Sequence, residues 1–266
     1  MEGLVATLER LDTNHFTLLN SNSAIGLARA LEVCEIMTTL IESISEKEIV
    51  QLQVIERNMF DTFFDFAEKK TTLVIDEVDK TESFLEIRQT LCRILTNLTA
   101  HDFLINTFQT HLGMIAKLKA WLVDTQDAGN VKYDDIRMIA AVCLGNIGRS
   151  DEACGVLVKK YAMHESLYKS IKIEVDRIKS AHCHLNDTDS QKASIKILHA
   201  LTGALKNLSL SPQSKSTIGS VPLVSAIIAI LDIGFLGIVH PFALTILKNL
   251  TVGNEGSGLN IYLYIV

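Results

Sequence analysis

Residue types that bind metals are concentrated at 182–184, where His, Cys and His are consecutive. A structural zinc site needs further ligands at fixed spacing, and no second pair follows. His164 and Glu165 begin like the H-E-x-x-H helix of zinc proteases, but Tyr168 stands where the second histidine is required. Neither a phosphate-binding loop nor a nucleophile elbow occurs. We therefore expect no metal site, no cofactor and no catalytic residues of an enzyme.

The composition of the chain narrows the protein class further. Its 266 residues are 48% hydrophobic with 3 prolines, which favours a folded protein built from long helices. The formal net charge of −6 argues against a nucleic-acid binder. The 5 cysteines are odd in number and lack a paired spacing, and the N-terminus lacks the features of a signal peptide. We expect reduced thiols in a cytoplasmic protein.

One apolar segment, 223–239, has the minimum length of a membrane-spanning helix. Asp232 lies in its middle, and a charge there opposes insertion by about 2.5–3.5 kcal/mol. Gly234 and Gly237 divide the segment into shorter pieces. We therefore interpret it as buried helices of a folded core and expect no direct membrane insertion.

The strongest pattern is a short string that occurs four times around an asparagine. The copies are RILTNLTAHD (93–102), VCLGNIGRSD (142–151), GALKNLSLSP (203–212) and TILKNLTVGN (245–254). When they are aligned on the asparagine, apolar residues occupy offsets −10, −6, −2 and +1. Steps of four, four and three trace one face of an α-helix, which we expect to be buried. The aligned residues are Asn97, Asn146, Asn207 and Asn249.

The asparagines lie 49, 61 and 42 residues apart. A period of about 40–47 residues with two or three helices per unit is typical of armadillo and HEAT repeats. We interpret the polar stretches 125–135 and 181–191 in the two longer intervals as long loops. Residues 214–231 predict a short helix, a Gly-Ser-Val-Pro turn and a second helix from Pro222, and 103–123 repeats this plan. The predicted fold is all-α, an armadillo (ARM/HEAT-like) right-handed α-solenoid.

The repeats divide the chain into three predicted parts. Residues 81–252 are the armadillo repeats. Residues 1–80 lack an asparagine copy but contain a capping box at 45–48 before an apolar helical pattern, so we interpret them as an N-terminal helical cap or degenerate repeats. Residues 253–266 form an irregular tail, which we interpret as a truncated repeat or an unusual end cap.

The asparagine copies and the GSVPL turn resemble those of armadillo-repeat proteins. In that family a ladder of asparagines on the last helix of each repeat binds an extended peptide, and the resemblance implies this role for the four asparagines above. An amide offers both a donor and an acceptor, which suits a peptide backbone. The alternative is that each asparagine bonds main-chain groups of its own turn. Nuclear-import adaptors also carry a tryptophan one helical turn before each asparagine, whereas this chain has Arg93, Val142, Gly203 and Thr245 there.

One block indicates a narrower resemblance. AAVCLGNIGRSDEACGVLV (140–158) resembles the smg GDS-type small-GTPase GDP-dissociation stimulators, and 198–224 is similar to a later repeat of that family. These proteins bind Rho- and Rap-like GTPases with basic, prenylated tails and act as guanine-nucleotide exchange factors without a conventional exchange domain. The members are considerably longer than this chain. The resemblance implies a scaffold that binds small GTPases and stimulates GDP dissociation or chaperones them.

Charged residues beside the asparagines complete the predicted site. Asp151 and Glu152 follow the Asn146 helix and would attract a basic tail, as would the two aspartates 134–135 before it. These acids would equally stabilise helix N-termini. Arg93 and Arg149 are the predicted basic contacts. A generic armadillo adaptor that holds an extended peptide of another partner is the alternative function.

Overall fold

The computed structural model describes residues 89–101, 112–123, 134–183 and 188–252, apart from Leu91, together with isolated residues at 39, 47 and 52. The capping-box residues Ser45 and Glu48 and the tail at 253–266 therefore lie outside the described residues. The chain divides into two compact units, Met1–Leu98 and Thr99–Val266. All regular elements in the described ranges are helical.

The described part of the first unit ends in a helical segment that carries the first aligned asparagine. Residues 92–98 are helical, and Ile94, Leu95 and Leu98 are almost fully buried. Thr96 Oγ1 donates a hydrogen bond of 3.0 Å to the main-chain oxygen of Cys92. Asn97 is half-buried in this segment, as expected for a residue that adjoins the apolar stripe.

The second unit contains eight α-helices among its described residues. They are α1 (Leu112–Val123), α2 (Asp134–Ile147), α3 (Asp151–Gly155), α4 (Met163–Cys183), α5 (Thr188–Leu208), α6 (Pro212–Ile218), α7 (Val221–Leu231) and α8 (His240–Thr251). A π-helical turn, Val156–Lys160, continues α3.

Capping residues explain several helix ends. Ser150 begins α3, and its Oγ accepts a hydrogen bond of 3.1 Å from the main-chain nitrogen of Ala153. Prolines occupy the first turns of α6, α7 and α8, where the missing amide hydrogen leaves no helical bond unmade. Ala162, with φ of 49°, separates the π-helical turn from α4. The predicted turn before Pro222 is confirmed, because α6 ends at Ile218 and α7 begins at Val221.

The helices of the second unit pack as repeating sets of three. The asparagine helices α2, α5 and α8 stack in chain order, as do their partners α1, α4 and α7, and the short helices α3 and α6 also contact each other. The stripe at offsets −10, −6, −2 and +1 is buried in all three asparagine helices, so the predicted core face is confirmed. Its members are Ile136, Ala140, Leu144 and Ile147, then Ile197, Leu201, Leu205 and Leu208, then Val239, Ala243, Leu247 and Leu250.

Small residues allow α2 and α5 to pack closely. A Cβ added at Gly145 would lie 3.3 Å from Ala204 Cα, and one at Gly148 would lie 2.9 Å from Leu208 Cδ2. The first contact involves main-chain atoms, which cannot rotate away as a side-chain methyl can. Gly145 therefore limits how closely α2 and α5 can approach.

The predicted loop at 181–191 is wrong. Helix α4 continues to Cys183 and α5 begins at Thr188, so helix replaces most of the loop. The interval of 61 residues arises from two helices of 21 residues each. The other predicted loop, 125–135, overlaps α2 by two residues, and 124–133 lies outside the described residues. Polar residues are common in long amphipathic helices as well as in loops, which accounts for the error.

The apolar segment 223–239 is not one helix, because α7 ends at Leu231 and turns connect it to α8. No single helix in the described ranges has the length and apolar character needed to cross a membrane. One bent pair, Pro212–Ile218 with Pro222–Leu231, meets the criterion by length and composition alone.

Candidate functional site

Three of the predicted asparagines lie on one side of the second unit. We call the exposed side of α2, α5 and α8 that carries Asn146, Asn207 and Asn249 the Asn-helix face. Each asparagine is half-buried in the last turn of its helix, one residue before the buried apolar position. The helical period therefore places each side chain at the border between the core and the solvent.

Each of these three asparagines donates a hydrogen bond to a residue next to the preceding aligned asparagine of the sequence. Asn207 Nδ2 lies 2.8 Å from the main-chain oxygen of Gly145, and Asn146 Nδ2 lies 3.2 Å from Thr99 Oγ1. Asn249 Nδ2 lies 3.0 Å from Ser209 Oγ and 3.5 Å from the main-chain oxygen of Lys206. The acceptors are at offset −1 or +2 from the preceding aligned asparagine. Within the second unit, the ladder thus connects α5 to α2 and α8 to α5.

The bond from Asn207, and the longer one from Asn249 to Lys206, satisfy main-chain groups that a helix end leaves unpaired. The last four carbonyl groups of a helix have no donor within the helix. In α2, the oxygen of Leu144 accepts from the Gly148 nitrogen at 2.9 Å, and that of Gly145 accepts from Asn207. The oxygen of Asn146 accepts from Arg149 Nε at 2.9 Å. The next repeat therefore contributes one donor to the C-terminal cap of α2.

The amide groups retain an acceptor for a partner. Asn207 and Asn249 have no donor to Oδ1 among the described residues, and neither oxygen is a buried unpaired atom. Both Oδ1 atoms therefore contact solvent. Both sequence-based interpretations of the asparagines thus have a structural counterpart, since Nδ2 connects the repeats and Oδ1 faces outward.

The two predicted arginines bond to nearby groups of the protein. Arg149 is exposed, and besides its bond to Asn146 it donates through Nη2 to the main-chain oxygen of Ala100. It therefore caps the end of α2 and also bonds the main chain at Ala100. Arg93, in the first unit, is exposed and donates from Nη2 to Thr90 Oγ1 at 2.8 Å.

The two predicted acids are available to a partner. Asp151 and Glu152 are exposed in the first turn of α3, and neither forms an ion pair in the described structure. They follow Arg149 and Ser150 directly, so they lie beside the C-terminal end of α2. Burial, with a smaller contribution from the charge of Asp151, raises the pKa of Cys154 to about 11. Cys154 Sγ donates to the main-chain oxygen of Gly148 at 3.2 Å, which indicates a structural role for this thiol.

Sequence reasoning missed a buried cluster of four charged residues between α2 and α4. Arg137 Nη1 lies 2.6 Å from Glu174 Oε1 and 3.5 Å from Asp134 Oδ1. Arg177 contacts both oxygens of Asp134 at 3.1 Å and those of Glu174 at 3.2 Å. The sequence shows only that the members of each pair, on α2 and on α4, are three residues apart. Asp134 is buried, so the expectation that it contributes to an exposed acidic groove is wrong.

The cluster is electrically balanced and strongly desolvated. Glu174 is fully buried and Arg137 is 3% exposed, yet Nε and Nη2 of Arg137 have no hydrogen-bond partner. Burial lowers the pKa of Arg177, but its hydrogen bonds to Asp134 and the charges of Glu174 and Asp134 outweigh this effect and raise it. The cluster fixes α4 against the start of α2, and of its four members only Arg177 is partly exposed, with 20% of its side chain accessible.

Possible metal ligands do not converge in the described structure. No group of three His, Cys, Asp or Glu residues there could hold a metal ion. His164 is buried in the first turn of α4 and its Nδ1 has no partner. The side chains of 182–184 lie outside the described residues.

No family model matches the chain. Among curated proteins, the GTPase-GDP dissociation stimulator vimar of Drosophila melanogaster is 24% identical over 230 residues. The chain resembles the GTPase-GDP dissociation stimulators. The similarity covers 83% of this chain and 32% of vimar, so the chain spans about a third of the length of this relative.

Solved structures confirm the predicted fold. The designed armadillo repeat protein YIII(Dq)4CqI has a TM-score of 0.58 and 14% identity, with 94% of this chain and 86% of that chain covered. An engineered protein has a TM-score of 0.53 and 17% identity, with coverages of 97% and 88%. Together with the stacked helices, these similarities show an all-α solenoid of the armadillo type. The chain is an armadillo-like repeat scaffold that resembles the dissociation stimulators.

Proposed function

We propose that this protein binds small GTPases of the Rho and Rap type and stimulates their GDP dissociation or chaperones them in the cytoplasm. The observation that carries the proposal is the similarity to a GTPase-GDP dissociation stimulator over 83% of the chain. The armadillo-like fold is compatible with it, because stacked repeats offer an extended surface to a protein partner.

The acidic start of α3, which follows the last turn of α2, suits a GTPase with a basic tail. Asp151 and Glu152 are exposed and unpaired beside the last turn of α2. Opposite charges on two partners speed association and select against wrong partners more than they raise affinity. We therefore assign the tail, with any prenyl group it carries, to the part of the face near Asn146, Arg149 and these two acids.

Stimulated dissociation requires no covalent chemistry. A scaffold that binds the nucleotide-free GTPase more tightly than the GDP-bound form lowers GDP affinity by the same factor, because the two equilibria are linked. A tenfold preference corresponds to about 1.4 kcal/mol. The scaffold needs only contacts that differ between the two GTPase conformations.

The test is GDP release from a panel of Rho-, Rap- and Ras-like GTPases, each with and without its basic tail, measured together with complex formation. We expect tail-dependent binding and faster release. Binding without faster release would favour a chaperone. If no GTPase binds, the proposal is wrong and the generic armadillo adaptor, which holds an extended peptide of another partner, becomes the better account.

Two matched variants locate the contact. Asp151→Asn with Glu152→Gln removes the two charges beside α2 and should slow association with the tailed GTPase about threefold to tenfold at low salt. Glu165→Gln is the control, because Glu165 is an exposed acid in the first turn of α4. Equal effects of the two changes would mean that the tail contacts another surface.

A further inference from the structure

A groove with a volume of about 250 Å³ lies between α4 and α7. All of its lining residues in the described structure belong to these two helices, so the groove is separate from the Asn-helix face. The α7 wall is built from small residues at helical steps of three, one and three. These residues are Pro222, Ser225, Ala226 and Ala229. Because their side chains are short, α7 contacts α4 but leaves space between the two helices.

The inner lining of the groove is mainly apolar. Val175 of α4 is buried, and Ala226 and Ala229 of α7 are half-buried. Tyr168, which is also half-buried, lines the α4 wall. A closed apolar cavity of about 150 Å³ holds a benzene molecule. The groove therefore has room for at least one apolar side chain of that size.

The charged residues that line the groove in the described structure all belong to α4. Lys172, Asp176 and Lys179 are exposed and follow helical steps of four and three, so they lie along one face of α4. This rim presents a positive, a negative and a positive charge in that order. Lys172 and Asp176 form no ion pair within the described part of the chain, so both charges are available to a partner.

We propose that this groove binds an amphipathic helix of another protein. An apolar side chain of that helix enters the groove between Val175 and the alanines of α7. Beside it, an acidic, a basic and an acidic residue at matching helical spacing pair with Lys172, Asp176 and Lys179. The proposal goes beyond GTPase binding and does not depend on it, because the GTPase tail is assigned to the region where α2 ends.

The spacing of the rim charges favours a helix over an extended segment or a lipid. At a rise of about 1.5 Å per residue, steps of four and three place the three charges about 6 Å and 4.5 Å apart along α4. A second helix packed alongside repeats these spacings, whereas side chains on one side of an extended segment recur about every 6.6 Å. A lipid carries its charge at one end, so it cannot match a rim of alternating charge.

The probe is a fluorescein-labelled peptide, AAQLEAQLKALEAQLAQY, in which a leucine stripe adjoins acidic, basic and acidic residues at steps of four and three. Binding is followed by fluorescence anisotropy, and the helix content of the unlabelled peptide by circular dichroism. We expect the folded chain to bind the probe, the bound peptide to gain helix, and added salt to weaken binding because the rim charges are exposed.

Three comparison peptides each change one property of the probe. AAQLKAQLEALKAQLAQY exchanges the charges, AAQLEAQSKASEAQLAQY replaces two leucines by serine, and AAQLEAQLKPLEAQLAQY places a proline in the helix interior. We expect each to bind at least about tenfold more weakly, because it lacks the matching charges, the apolar anchor or the helix, respectively.

Paired charge variants test the rim. Lys172→Glu with Lys179→Glu should weaken binding of the probe at least about tenfold. Lys196→Glu with Lys248→Glu, at exposed positions of α5 and α8, makes the same change in net charge and should alter binding less than about twofold. Adding Asp176→Lys to the first pair reverses the rim, so this triple variant should prefer the charge-exchanged peptide to the probe.

A filling substitution tests the groove itself. Ala226→Leu occupies the space for the apolar side chain and should weaken binding at least about fivefold. Ala116→Leu, at an exposed position of α1, is the control and should leave binding within about twofold. Circular dichroism melts confirm that each variant is folded.

Several results would overturn the proposal. No binding of the probe at millimolar concentration, or equal losses in the two lysine pairs, would remove the site. Equal binding of the proline peptide would indicate an extended ligand, and tighter binding of decanoate than of the probe would indicate a lipid. A dimer that Ala226→Leu dissociates would assign the groove to a second copy of the chain. None of these results depends on whether a GTPase binds, so this proposal and the proposed function fail separately.

Discussion

The side-chain amide of Asn207 donates to the main-chain oxygen of Gly145 at 2.8 Å, across the contact between α5 and α2. The two residues are 62 positions apart in sequence, yet the bond contributes to a helix cap. A residue that the armadillo resemblance implicates in partner binding thus also stabilises the stack.

We expect Asn207→Ala to lower the free energy of unfolding by about 1–2 kcal/mol, because the Gly145 oxygen loses its donor from the next repeat. Urea denaturation followed by circular dichroism measures this. The control is Thr217→Ala, at an exposed position of α6, which should change stability by less than about 0.5 kcal/mol. Equal, small effects would mean that water replaces the amide without loss.

Substitution of the same asparagines tests whether they contribute more to partner binding or to thermal stability. The sequence-based prediction is that Asn146→Ala with Asn207→Ala weakens partner binding more than it lowers thermal stability. The outward Oδ1 atom of Asn207 is compatible with this, and the Nδ2 bonds of both residues predict that stability also falls. GTPase binding measured well below the melting temperature separates the two effects. Unchanged binding by the folded double variant would restrict these residues to the structural role.

The sequence predicted the buried stripe because helical periodicity is local. Leu144 and Leu205 lie at equal offsets from their asparagines, and both are buried. It could not predict the donor bonds of the asparagines, because the acceptors belong to another repeat. It also could not predict the burial of Arg137 and Glu174, because their i,i+3 neighbours resemble those of an exposed helix face. The polar sequence near 181–191 similarly led to the prediction of a loop where α4 ends and α5 begins, so the length of both helices was underestimated.

The buried charge cluster should be sensitive to the loss of one partner. Glu174→Leu leaves Arg137 buried beside a single remaining carboxylate, that of Asp134, and should lower the free energy of unfolding by about 3 kcal/mol. Adding Arg137→Leu removes the uncompensated charge, so the double variant should be more stable than Glu174→Leu alone. A double-mutant cycle in urea measures this coupling. Strictly additive effects would contradict the direct interaction between Arg137 and Glu174.

His164 should make stability depend on pH. Burial lowers the pKa of His164 below its ordinary value of 6.5, Glu165 opposes this and Lys119 adds to it. The unfolded state therefore binds the proton more readily, so stability is complete above about pH 6.5 and falls as the pH drops towards the lower pKa of the folded state. The wild type should lose stability relative to His164→Gln between pH 7.5 and pH 5. Denaturation curves that shift in parallel for both proteins would contradict this assignment.

The same substitution should have opposite effects at two glycines of the asparagine helices. Gly145→Ala places a methyl group 3.3 Å from Ala204 Cα, so α2 and α5 must separate slightly, and this outweighs the gain of about 1 kcal/mol in helix propensity. Gly203→Ala has open space and should raise the free energy of unfolding by about 0.5–1 kcal/mol. Urea denaturation of both variants under one set of conditions provides the comparison. If both were stabilising, the contact at Gly145 would not limit the approach of successive repeats, and the hydrogen bond from Asn207 would tolerate a wider spacing.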